Sequence, residues 1–268
     1  MRIAIVAPSC ALDPSIPARL EPLAAAHGHD LMFHPQCFLR DGHFAGPDDA
    51  RVAALVEVAN NPVFDAVWFA RGGYGACRVA EAALVHMDSA AARVKIYLGY
   101  SDAGFLLAGL YHNGIGQPVH APMPQDMNRT GGEQAAARVL EWLSDHPFPG
   151  GGRGTPQLAF NLTVLSNLLG TPLEPDLTGH VLMIEEVAEY MYRIDRSLFH
   201  ITSSPNVRGC AGIMLGRCSD IPPNVPDFVL DEEAVTRHWC ERAGIGYLGR
   251  ADIGHDIDNS IVPFGVLL

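Results

Sequence analysis

Short β-type runs and longer amphipathic stretches alternate strictly through the first half of the chain, and this alternation limits the possible fold more than any other feature. The β-type runs cover residues 3–7, 30–34, 66–70, 96–100 and 119–121, and the helical stretches cover 17–27, 47–59, 76–86, 102–112 and 133–144. Strand-to-strand connections through a helix imply a parallel sheet with helices on both faces, whose ligands sit at the carboxyl ends of the strands. The Gly- and Pro-punctuated stretch at 146–156 interrupts the pattern. We therefore divide the chain into an α/β domain at 1–145, a linker at 146–157 and a C-terminal domain at 158–268. After the linker a helix near 161–169 precedes the apolar run 181–184, and short β-type pieces follow between Gly and Pro turns up to a closing strand at 261–267. The expected fold class is thus α/β, with a doubly wound, mostly parallel N-terminal sheet and a smaller mixed or mainly β second domain.

Composition narrows the function. The chain has 268 residues, enough for one large or two modest cores, and its formal charge of -12 disfavours nucleic acid and anionic membrane surfaces. No apolar stretch reaches the roughly 18 to 20 residues that span a bilayer. Residues 1–8 read as a first strand rather than a secretion signal, so a cytoplasmic location is expected. Six cysteines are scattered without a C-x-x-C pair, which suggests reduced, mostly buried thiols, with no zinc site or disulfide framework.

At Gly99-Tyr100-Ser101-Asp102 a strand-like run stops and an apolar helix-like run starts at once. A sharp strand-to-helix turn presents a serine hydroxyl as a nucleophile, and related elbows read G-x-S-x-G, with Ala103 here in the trailing position. A Ser-Asp helix N-cap gives the same local pattern. A nucleophilic serine needs a base and a group that orients the base. Of twelve histidines, His255 stands out in the polar loop Gly254-His255-Asp256-Ile257-Asp258-Asn259; most of the others sit in surface or helical contexts. For the carboxylate, the apolar run Val181-Leu182-Met183-Ile184 ends directly in Glu185 and Glu186, of which strand alternation lets only one face the histidine. The loop Ala70-Arg71-Gly72-Gly73-Tyr74-Gly75 follows a strand and matches neither a Walker A nor a G-x-G-x-x-G pattern. It reads either as a source of oxyanion amides or as a plain tight turn. Arg71 suits a substrate carboxylate or a structural salt bridge equally.

Taken in order, these segments resemble the LD-carboxypeptidase family of serine peptidases, the muramoyltetrapeptide carboxypeptidases. The matching stretches include Ile5-Val6-Ala7-Pro8-Ser9, the Arg71-Gly72-Gly73 loop, Gly99-Tyr100-Ser101-Asp102, His120-Ala121-Pro122-Met123, Ile184-Glu185-Glu186 and Gly254-His255. The resemblance implies a Ser101-His255-Glu185 triad, with the nucleophile on the N-terminal domain and its partners on the C-terminal one. It also implies oxyanion donors from the amides of Asp102 and the Gly72-Gly73 loop, no metal or other cofactor, and a homodimer. The implied substrate is a murein tetrapeptide, cut between the L-centre of a diamino acid and a terminal D-alanine during peptidoglycan recycling.

The chain departs from that pattern where Ala159-Phe160-Asn161-Leu162 replaces the usual Gly-Gly-Asn-Leu, a change expected near the substrate, and where Glu-Glu replaces Glu-Asp. It is also short for the family. Two rival functions remain: immunity-type hydrolysis of an aminoacyl-nucleotide antibiotic, and non-catalytic muropeptide binding. A binder has no need of all three of Ser101, Glu185 and His255, and a glutamine amidotransferase-like hydrolase would place cysteine at the elbow.

Overall fold

The computed structural model describes residues 1–145 and 154–266. The first half runs β1 (Arg2–Val6), α1 (Ile16–Ala26), β2 (Asp30–Phe33), α2 (Asp48–Asn60), β3 (Ala66–Phe69), α3 (Ala76–Leu84), β4 (Ile96–Gly99), α4 (Gly104–His112), β5 (Gln117–His120) and α5 (Gly132–Asp145). The second half runs β6 (Gln157–Asn161), α6 (Leu162–Leu168), β7 (Val181–Val187), α7 (Met191–Ser203), α8 (Pro205–Arg208), β8 (Gly212–Ser219), α9 (Glu232–Ala243), β9 (Tyr247–Arg250) and β10 (Val262–Pro263).

Strands β2, β1, β3, β4 and β5 lie side by side in that order and are all parallel. The order reverses beside β1, which opens a crevice at the carboxyl ends where such sheets bind ligands. Along each strand the side chains alternate. Ile3, Ile5, Trp68, Ile96 and Leu98 pack with α1 and α5, whereas Ala4, Val6, Val67, Phe69 and Tyr97 pack with α2, α3 and α4.

Strands β6 to β9 form a second sheet in sequence order, also parallel, with helices between successive strands. Of the two options expected for this half, the mixed one is found, and strand-helix alternation continues through it. The linker residues 146–153 lie outside the described residues, as do residues 267 and 268; of the closing strand expected at 261–267, Val262–Pro263 is found as a strand.

Helix α4 joins the halves. Every residue from Gly104 to Leu110 is buried, because the helix is apolar all round and lies in a core shared with Leu158, Phe160, Leu182 and Ile184 of the second sheet. The chain then returns, and β10 pairs antiparallel with β5 of the first sheet. The loop between β9 and β10, which carries His255, therefore spans from one sheet to the other.

Candidate active site

Ser101 occupies the turn between β4 and α4 with φ of 58°, a left-handed conformation that costs a non-glycine residue on the order of 1–3 kcal/mol. The turn is one of 3₁₀ type, closed by the Ala103 amide donating to the Tyr100 carbonyl at 3.1 Å. Such strain persists because the surroundings fix it. The Asp102 carboxylate, buried directly after the serine, accepts the Ser9 hydroxyl at 2.5 Å and the Ala76 amide at 2.8 Å. These bonds tie the elbow to the loop after β1 and the start of α3. Burial pushes the Asp102 carboxyl up, against the pull of the Ser9 and Ala76 hydrogen bonds and the Arg51 charge.

The Ser101 hydroxyl lies 2.9 Å from His255 Nε2, and His255 Nδ1 lies 2.5 Å from Glu185 Oε2. Glu185 is fully buried; a carboxylate accepting from Nδ1 would leave Nε2 free to accept from the serine hydroxyl. Tyr100 packs its ring 4.9 Å from that of His255, and its hydroxyl donates to Asp126 at 3.0 Å. Burial, reinforced by the Asp126 charge, holds the Tyr100 hydroxyl neutral. Arg129 pairs with Asp126 at 3.3 Å and donates to the His255 carbonyl. Below the loop, Asn259 Oδ1 accepts the Gly254 amide at 3.1 Å and His120 Nε2 at 2.9 Å.

Glu186 turns the other way, as strand alternation requires, with a register shift beside it. It accepts Asn161 Nδ2, the Thr163 amide and hydroxyl and the Val187 amide at 2.7–3.0 Å, so it caps the start of α6. The second acid of the Glu-Glu pair thus holds the fold around Asn161. Ala159 and Phe160 correct an expectation. Both are buried in the core, with Phe160 packed 5.2 Å from Phe264, and of that stretch only Asn161 lines the cleft. Strand β6 is buried along its whole length, and only its last residue reaches the opening.

The Gly72-Gly73 loop crosses directly in front of the serine. A β-carbon on Gly72 would lie 3.0 Å from Ser101 Oγ, and Gly73 has φ of 104°. Among the described residues the amides of Gly72 and Gly73 have no protein acceptor. Arg71 is exposed; it donates to the Ala11 carbonyl at 3.3 Å and forms no ion pair among the described residues. Ser101 opens onto two recesses, of about 560 Å³ and about 440 Å³, which meet at Ser101, Gly73 and Val187. No group of three His, Cys, Asp or Glu among the described residues is arranged to hold a metal.

Sequence reasoning missed Ser9, Tyr100, His120, Asp126, Arg129 and Asn259 as supports of this site. Ser9 and His120 lie in stretches that carry the family resemblance, but nothing local marks them as partners of Asp102 or of the His255 loop.

A hydroxyl, an imidazole and a buried carboxylate in series, on an elbow beside unpaired amides, define a serine-type hydrolase of two-sheet α/β architecture. The sequence pattern of the LD-carboxypeptidase N-terminal domain matches residues 3–121, and that of the LD-carboxypeptidase C-terminal domain matches 157–268. The chain belongs to the LD-carboxypeptidase family. A probable murein peptide carboxypeptidase of Bacillus subtilis is 30% identical over 84% of this chain and 74% of its own length. The murein tetrapeptide carboxypeptidase of Pseudomonas aeruginosa is 27% identical over 98% of this chain and 91% of its own. The crystal structure of muramoyltetrapeptide carboxypeptidase from Oxalobacter formigenes superposes with a TM-score of 0.80 at 25% identity, over 98% of this chain and 93% of that one. The microcin C7 self immunity protein MccF shares the fold, with a TM-score of 0.82 at 17% identity over 99% and 91% of the two chains.

Proposed function

We propose that this enzyme is an LD-carboxypeptidase that removes terminal D-alanine from murein tetrapeptides, with Ser101 as nucleophile, His255 as general base and acid, and Glu185 as the group that orients the imidazole. What supports the reading is the continuous Ser101-His255-Glu185 hydrogen-bond chain at the meeting point of two recesses, in a member of this family. Ser101 Oγ attacks the carbonyl carbon of the diamino acid while its proton passes to His255 Nε2. Glu185 stabilises the imidazolium without taking the proton. The amides of Asp102 and of Gly72 or Gly73 receive the oxyanion, each donor contributing on the order of 3 kcal/mol. The C–N bond breaks as His255 protonates the leaving nitrogen, and water then attacks the acyl-serine, returning carboxylate product and free hydroxyl. Arg71, which has no ion pair among the described residues, receives the terminal carboxylate of the leaving residue.

On this reading the enzyme serves peptidoglycan recycling in the cytoplasm, as a homodimer. Among the described residues no helix is long and apolar enough to cross a membrane. The deciding assay is release of D-alanine from L-Ala-D-Glu-diaminopimelate-D-Ala, with the L-Ala-terminated peptide and Ser101→Ala as controls. Release by the wild type alone, and from the D-terminated peptide alone, supports the proposal. A folded wild type that releases nothing overturns it and directs attention to aminoacyl-nucleotide hydrolysis.

A further inference from the structure

The two recesses beside Ser101 carry opposite charge. The smaller is lined by Arg71, Arg129 and His255, with Asp126 paired to Arg129. The larger is lined by Glu81, Glu186 and Glu189, with Asp102 at its end beside Ser101, and no lysine, arginine or histidine among the described residues lines it. Its remaining wall is partly apolar, with Phe105, Val164 and Leu173.

The position of the imidazole assigns the two halves of a substrate to these recesses. A base that takes the serine proton must deliver it to the leaving nitrogen, so the leaving residue lies on the side of His255. His255 lines only the smaller recess, where the arginines suit a free carboxylate. The residue that supplies the acyl group must then project into the larger one. Within it, the Glu186 side chain is taken up by hydrogen bonds from Asn161, Thr163 and Val187. Glu189 is shared with Arg193 at 3.0 Å. Glu81, on the exposed face of α3, has no side-chain partner among the described residues.

Resting on the carboxypeptidase reading, we propose that the larger recess binds the side chain of the acyl residue by its protonated distal amine, with Glu81 as the specificity-determining carboxylate. The aliphatic stem lies on the Phe105, Val164 and Leu173 wall, and the ammonium ends among the carboxylates. Two consequences follow from the charge. An uncharged side chain of equal length is a poor substrate, and so is a diamino acid whose distal amine is acylated, as it is when that amine is tied into a cross-link. The enzyme thereby selects peptides with a free side-chain amine.

Three acetylated dipeptides test this: N-acetyl-L-lysyl-D-alanine, its Nε-acetyl derivative and N-acetyl-L-norleucyl-D-alanine. The wild type is expected to favour the free-lysine peptide in kcat/KM by about tenfold or more over either other, the size of one charge-assisted contact. Glu81→Gln should collapse that ratio several-fold, and Glu189→Gln should reduce it less, because Glu189 is already paired. Affinities of the three peptides for Ser101→Ala read the recess without turnover. Equal affinities, or a ratio that survives Glu81→Gln, overturn the inference even if every peptide is cleaved. Preferential binding of free lysine without D-alanine release supports the inference and counts against the carboxypeptidase reading instead.

Discussion

At Ser101 the backbone gives up stability to aim a hydroxyl. Its positive φ is held by Asp102, which takes one hydrogen bond from Ser9 and one from Ala76, so residues far apart in sequence cooperate to fix one torsion. In the proposed mechanism Glu185 has the complementary task of choosing the tautomer of His255. Glu185→Gln keeps the shape but offers Nδ1 either a donor or a neutral acceptor. We expect kcat for D-alanine release to fall by on the order of 10⁴-fold with the fold intact, as circular dichroism and steady-state kinetics would show. A fall of less than about tenfold would show that another group orients the imidazole. At this scale Glu185 and Glu186 were legible as a pair at a strand end, since alternation sends neighbours to opposite faces. Which of them meets His255 depended on how β7 sits against the loop after β9.

Elements were easier to read than contacts. The expected strands and helices of the first half appear within a residue or two of their observed ends, because period-2 and period-3.6 apolar patterns survive packing. The second half read less clearly. Its strands are separated by longer Gly- and Pro-rich loops, which hid a regular strand-helix alternation. Helix α4 shows how an element serves the site: it starts at the elbow and is clamped on all sides, so the serine stands on a rigid base. Leu106→Ala, at a fully buried position, should cost about 2–5 kcal/mol in chemical denaturation. A cost under about 1 kcal/mol would mean that the shared core relaxes around α4.

On the scale of the whole molecule, the three groups of the proposed triad belong to different layers. Ser101 follows β4 of the first sheet, Glu185 lies near the carboxyl end of β7 of the second, and His255 rides on the segment that leaves β9 and returns to pair with β5. Beneath that segment His120 is held neutral, its pKa pushed down to about 4 by burial. The unfolded chain takes up a proton near pH 6.5 and the folded one only near 4. His120 therefore contributes stability that is complete above pH 6.5 and drains away as pH falls towards 4, on the order of 3 kcal/mol in all. The carboxyls of Asp102 and Asp126, raised by burial, act in the opposite sense as pH falls. The diagnostic is thus the difference between wild type and His120→Gln. Thermal unfolding from pH 7 to 4 should show a steeper loss for the wild type, and parallel curves would refute the assignment.

What lies near in the chain was readable from the chain: the alternation of elements in the first half, the turn chemistry at Ser101, the acidic pair following an apolar run, although β7 continues through it to Val187, and the glycines at 72 and 73. Each depends on interactions over a few residues, which side-chain type and spacing dictate. The family resemblance added which distant residues belong together, but not how. The left-handed torsion of Ser101, the Ser9-Asp102 bond, the burial of Ala159 and Phe160 and the opposite charges of the two recesses come from segments separated by tens of residues. Such contacts exist only once α4 has brought two hydrophobic faces together, because packing of the whole chain, and no local preference, sets which surfaces meet.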